Sequence, residues 1–128
     1  MKNKIVVDAS AILALINNEK GKELVEETLS RAIVSAINFS EVITVTNRNG
    51  LNEQEVTGLL KNIFPHIIDF NYEQAFIAAS LDKDTKRFGL SLGDRSCLAL
   101  AKYIKCPVIT ADKDWQKLNI GIDIKLIR

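Results

Sequence analysis

The chain has 128 residues, 47% of them hydrophobic and 26% charged, in line with one ordinary globular domain spanning residues 1–128. With 17 basic and 16 acidic residues the net charge is +1, so bulk charge does not announce a nucleic-acid binder, and such a role needs local segregation of charge. Two cysteines and a single histidine offer no disulfide framework and argue against a zinc site.

Ile5-Val6-Val7 is a short run of β-favouring apolar residues and predicts a strand buried on both faces, with Asp8 at its carboxyl end. Ser10 is expected to cap a short helix carrying Ile12, Leu13, Leu15 and Ile16, broken by Asn17-Asn18. A helix over 20–29 places Leu24, Val25 and Leu29 on one face. A second buried strand covers 32–36, and Asn38 opens a helix that stops near Asn49-Gly50. The stretch 52–64 is helical, with Val56, Leu59, Leu60 and Ile63 at helical spacing and Pro65 closing it.

A third strand covers 66–70, and Asn71 caps a long helix frayed by the charged turn 82–87. Ser91 opens a helix from Leu92 to about Lys105, followed by a fourth strand over 107–110. One or two helical turns occupy 112–118, and 122–127 forms a fifth strand at the edge. Strands alternating with helices predict βαβ units, hence a three-layer α/β/α sandwich around a central, mainly parallel five-stranded sheet.

The amino terminus superficially resembles a signal peptide, but Asp8 interrupts its apolar run, and no stretch approaches the ~20 apolar residues of a membrane span. Cys97 and Cys106 read as buried free thiols of a reducing compartment, so a cytoplasmic protein without a membrane partner is expected.

Four carboxylates carry the chemistry. Asp8 falls where ligands bind in open α/β sheets, and a carboxylate there is costly to desolvate without a cation or donors. Glu41 in Asn38-x-x-Glu41 and Asp94 in Ser91-x-x-Asp94 each fit a capping box when taken alone. Asp94 also precedes an apolar stripe through Cys97, Leu98, Ala101 and Ile104, which turns it inward over the sheet. Asp112 follows the fourth strand and would cap the short helix containing Trp115. If the first and fourth strands are neighbours at the sheet's switch point, all four acids face one crevice. Such an all-oxygen cluster suits Mg²⁺ or Mn²⁺, the apparatus of phosphate-ester cleavage.

Val7-Asp8-Ala9-Ser10-Ala11, Ser40-Glu41-Val42, Leu92-Gly93-Asp94 leading into 97–101, and Val108-Ile109-Thr110-Ala111-Asp112 together resemble PIN-domain proteins, particularly VapC-like toxins of toxin–antitoxin pairs. The resemblance implies that Asp8, Glu41, Asp94 and Asp112 are the catalytic acids holding Mg²⁺ or Mn²⁺. It gives Ser10 and Thr110 supporting hydroxyls, and Asp114 a lesser supporting place. It further implies an endoribonuclease acting on RNA, usually a homodimer, inhibited by a small antitoxin whose segment covers the active-site groove.

Arg95 and Lys113, each beside a proposed ligand, are candidates to hold the scissile phosphate and its neighbours. Lys83, Lys86 and Arg87 would either extend the RNA path or form a solvated surface, and Trp115 would either stack a base or pack on the core. The expected reaction is hydrolysis by metal-activated water, leaving 5′-phosphate and 3′-hydroxyl ends. Two rivals are weaker. A haloacid-dehalogenase-like Mg²⁺ phosphatase needs a second acid where Ser10 stands. A non-catalytic receiver or acidic-pocket binding module needs an acceptor Asp at the end of the third strand, whereas Asp69 is expected inside it.

Overall fold

The computed structural model describes residues 3–128. Five strands, β1 (Ile5–Val7), β2 (Ala32–Ser35), β3 (Ile67–Ile68), β4 (Val108–Thr110) and β5 (Ile124–Leu126), form one sheet in the order β3-β2-β1-β4-β5. Every described pairing is parallel, so the sheet is wholly rather than mainly parallel. The chain leaves β1 toward β2 and β3, then returns to the other side of β1 for β4 and β5. The winding therefore reverses between β1 and β4, which makes their carboxyl ends the switch point.

Helices α1 (Ala9–Ile16), α2 (Lys22–Thr28), α3 (Ala36–Arg48) and α4 (Glu53–Ile63) form one outer layer. Their Ile12, Val25, Val42 and Leu60 pack with Ile5, Val7, Val34 and Ile109 of the sheet. Helices α5 (Tyr72–Ser80), α6 (Asp82–Thr85) and α7 (Leu92–Ile104) form the other. There Leu81, Leu98 and Leu100 pack with Val6, Ile33 and Val108, which alternate with the residues facing the first layer. β1 is sandwiched between the layers and wholly buried, as its unbroken apolar run requires.

Several local expectations are revised. Asp8, not Ser10, is the N-cap of α1, and its carboxylate receives the Ser10 N–H. Ser10 lies inside the helix, because only the cap Asp8 separates β1 from α1. Likewise Ser35, the last residue of β2, caps α3 through a bond from the Ile37 amide, so Asn38 lies in the first turn and is no cap. Leu24 and Leu59 are exposed, leaving Val25 and the Val56–Leu60 pair to anchor α2 and α4. The long helix expected after Asn71 breaks at Ser80 into α5, α6 and a 3₁₀ turn over Lys86–Phe88 that ends on left-handed Gly89. Strand β3 is only two residues long, so Asp69 follows it rather than lying within it. Asp69 is nevertheless exposed at the sheet edge, two strands from β1, where a receiver's acceptor carboxylate would not be.

No helix among the described residues is long and apolar enough to cross a membrane. Cys97 and Cys106 are both buried and unpaired.

Candidate active site

Asp8 directly follows β1 and is only 3% exposed. Ser10 Oγ donates to Asp8 Oδ2 at 2.6 Å, and Thr110 Oγ1 donates to the same oxygen at 2.8 Å. Each hydroxyl in turn accepts a backbone N–H from the end of β4: Ala111 N–H donates to Ser10 Oγ, and Asp112 N–H to Thr110 Oγ1, both at 3.0 Å. A hydroxyl has one proton, so the amides on its lone pairs leave that proton for Asp8. Asp8 is thereby fixed in orientation, and none of the described hydrogen bonds reaches its Oδ1. Burial pushes its carboxyl from 3.8 up to about 6, against the lowering effect of the two hydroxyls, and the charge of Asp94 adds to the rise.

Glu41 comes from α3, half-buried one turn beyond Asn38. Asn38 is fully buried, and its Nδ2 donates both to Glu41 Oε1 at 2.7 Å and to the Gly93 carbonyl at 3.0 Å. The carboxylate of Glu41 is thus held beside the first turn of α7, which also carries Asp94. Asp94 completes a capping box with Ser91: the Ser91 amide donates to Asp94 Oδ2 at 2.9 Å, and the Asp94 amide to Ser91 Oγ at 3.2 Å. The capping reading therefore holds for Asp94 and fails for Glu41.

Cys97 records how these acids converge. Its buried thiol is pushed well above the usual range, first by burial and then by the charges of Asp8, Asp94 and Glu41 together. Asp112 joins through its backbone and the Thr110 hydroxyl, while its side-chain Oδ1 accepts the Asp114 amide at 3.0 Å and caps the 3₁₀ turn Lys113–Lys117. Asp114 is exposed and paired with Lys117 at 3.1 Å.

Among the described residues no three His, Cys, Asp or Glu side chains are drawn together tightly enough to ligate one ion as they stand. Asp94 and Asp112 each spend an oxygen on a local amide. The donor set still fits a hard divalent cation. It is all carboxylate oxygen, and among the described residues no hydrogen bond takes up Asp8 Oδ1 and no Lys or Arg is buried.

The basic candidates separate. Arg95 is not at the crevice: its Nη1 donates to the Ala78 carbonyl at 2.9 Å, its Nε lies 3.9 Å from Asp82, and it ties α7 to the end of α5. Lys113 is exposed beside Asp112. Lys83 and Arg87 line an open cleft of about 320 Å³ with Phe88 and Lys117. Trp115 is fully buried and packs on the core.

Residues 5–121 match the PIN domain family. The chain belongs to the PIN-domain family. It is 29% identical over 126 residues to the VapC ribonuclease Mb2780c of Mycobacterium bovis, covering 91% of this chain and 96% of that one. Its fold superposes on a toxin–antitoxin complex from Klebsiella pneumoniae with a TM-score of 0.77 at 21% identity, over 98% of both chains. It also superposes on VapC20 of Mycobacterium tuberculosis, described as a sarcin-ricin loop cleaving toxin, with a TM-score of 0.75 at 17% identity, over 89% of this PIN domain and 94% of that chain.

The Asn38 bridge was not foreseen as a site feature. Its signal was a polar side chain on the buried face of a helix whose cap, Ser35, is supplied elsewhere.

Proposed function

We propose that this PIN domain is a VapC-like endoribonuclease, the toxin of a toxin–antitoxin pair, which hydrolyses RNA phosphodiesters with the help of Mg²⁺ or Mn²⁺. The observation that carries the reading is geometric: Asp8, following β1, is bonded to Thr110 of β4 across the switch point, and Glu41 of α3 is held through Asn38 against the first turn of α7, which bears Asp94. On this reading Asp8, Glu41, Asp94 and Asp112 would hold the ion, with Asp8 Oδ1 outside the hydrogen bonds described for that carboxylate. A bound divalent cation supplies activation of water and compensation of charge at the phosphodiester. Ser10 and Thr110 keep the Asp8 carboxylate in one orientation so that binding requires no rearrangement there. Asp112 caps its own 3₁₀ turn through the Asp114 amide, and the Asp114 side chain pairs with Lys117 within that turn. Lys113 takes a phosphate flanking the scissile one, a contact that positions without reading sequence.

The antitoxin partner is supported by the toxin–antitoxin assemblies among the structural neighbours. A groove of about 300 Å³ along α3, lined by Ile37, Ser40, Thr44, Val45 and Arg48 with Glu41 at its wall, is the surface such a segment would cover. A homodimer belongs to the same reading. Tyr72 and Phe76 stand exposed one turn apart on α5, apolar area that a second copy would remove from water. The buried free thiols suit the cytoplasm as the place of action.

The test is incubation of the purified protein with RNA and, separately, with p-nitrophenyl phosphate, each with Mn²⁺ and with chelator. Cleavage of RNA alone, dependent on Mn²⁺ and leaving 5′-phosphate and 3′-hydroxyl ends, is expected. Cyclic-phosphate ends would refute direct hydrolysis, and turnover of the small ester alone would favour a phosphatase. Sequencing the 5′ ends that arise on expression in growing cells identifies the RNA.

A further inference from the structure

We propose that Asn38 is a positioning residue for the Glu41 carboxylate, and that Gly93 is glycine because that carboxylate occupies the space a Cβ would take. The inference rests on the metal-dependent reading above and names residues that the four acids do not include.

Asn38 is an expensive residue where it stands. It is fully buried in the first turn of α3, and its Oδ1 has no hydrogen-bond partner. The helix does not need it as a cap, since Ser35 already fills that role. Both bonds it makes leave from Nδ2, one to Glu41 Oε1 and one to the Gly93 carbonyl. Both acceptors lack a proton to give, so the amide has one possible orientation, with nitrogen toward the acids.

On the far side of the same contact, a Cβ built on Gly93 would lie 2.5 Å from Glu41 Cδ and closer still to Glu41 Oε2. No ordinary side chain fits there unless the carboxylate moves. The backbone of Gly93 is helical within α7 and has no need of glycine's conformational freedom. Glu41 is therefore held by a donor on Oε1, with its carboxylate lying over the space that Gly93 leaves empty. Asn38 and Gly93 set the distance between the acid of α3 and the acid of α7, and so the bite available to a cation.

A plain structural staple between α3 and α7 would make the same bonds, so stability alone does not discriminate. Manganese binding without RNA does. Calorimetric titration of the full chain with Mn²⁺ is compared for wild type, Asn38→Leu and Gly93→Ala, alongside melting temperatures in chelator. Leu conserves bulk and removes the orphaned oxygen, while Ala favours the helix and displaces only the end of a flexible side chain. Both variants are expected to bind Mn²⁺ about 10- to 100-fold more weakly than wild type while melting within a few degrees of it. Wild-type Mn²⁺ affinity in both variants overturns the proposal. If Asn38→Leu does not fold, Gly93→Ala decides alone, since it leaves Asn38 in place. A wild-type protein that takes up no Mn²⁺ overturns the metal reading itself, and the role of Asn38 with it.

Discussion

Thr110 Oγ1 donates to Asp8 Oδ2 across 2.8 Å, joining the ends of β4 and β1 over 102 residues of sequence. The same hydroxyl accepts the Asp112 amide, so one side chain orients the carboxylate of Asp8 and the start of the turn that presents Asp112. Replacing it by the isosteric Val removes both bonds without opening a cavity. Thr110→Val is expected to lower stability by about 1–3 kcal/mol, since the buried amide and carboxylate lose a partner. It should also reduce RNA cleavage by about 10-fold through a loosened metal site. Denaturant titration and a Mn²⁺ activation curve measure the two effects, and unchanged Mn²⁺ dependence would show that the hydroxyl does not govern the ligand.

Burial gives Asp8 a pH signature in the metal-free protein. Its carboxyl titrates at about 6 when folded, against 3.8 ordinarily. Because the folded value is the higher one, the extra stability is fully present below 3.8 and is lost as pH rises through about 6. At about 1.4 kcal/mol per pH unit the loss approaches about 3 kcal/mol. Relative to wild type, Asp8→Asn should therefore gain stability in chelator between pH 4 and pH 7, while losing RNA cleavage altogether. Parallel stability–pH curves for the two proteins would contradict the buried charge.

Adding a divalent cation should reverse that penalty. At a concentration 100 times the dissociation constant, Mn²⁺ stabilises by about 2.7 kcal/mol through mass action alone. The expected rise in melting temperature should vanish in Asp8→Asn and shrink in Glu41→Gln. A rise of equal size in all three proteins would place the ion elsewhere.

Arg95 and Lys113, expected alike from their places beside acids, should behave differently. Arg95→Ala breaks a half-buried tie from α7 to the Ala78 carbonyl, and is expected to cost about 1–3 kcal/mol of stability while leaving the KM for RNA unchanged below the melting point. Lys113→Ala should leave the melting temperature unchanged and raise the KM for RNA, the more so at low salt. The opposite pattern would return Arg95 to the RNA path.

Local sequence proved a good guide where one segment met its own physics. The run Ile5-Val6-Val7 could only be buried on both faces, and Ser91-x-x-Asp94 closes its capping box within four residues. Asn71 caps α5 for the same reason, whereas Asn52, read as helical, turns out to be the cap of α4. The family motifs placed Asp8, Glu41, Asp94 and Asp112 in order along the chain, but order carries no orientation. Asn38 and Glu41 have the spacing of a cap, and nothing within that tetrad says that the helix already starts at Ser35.

By itself the sequence determined the alternation of strands and helices, the burial of β1 and the acids that end or follow its strands, because periodicity and capping are short-range. Only the tertiary structure decided which strands are neighbours, that Arg95 turns to α5 rather than to the crevice, and that Asn38 reaches Gly93 across 55 residues. Those outcomes depend on packing α3 and α7 over the sheet, where the direction of each side chain is set by contacts that no local pattern encodes.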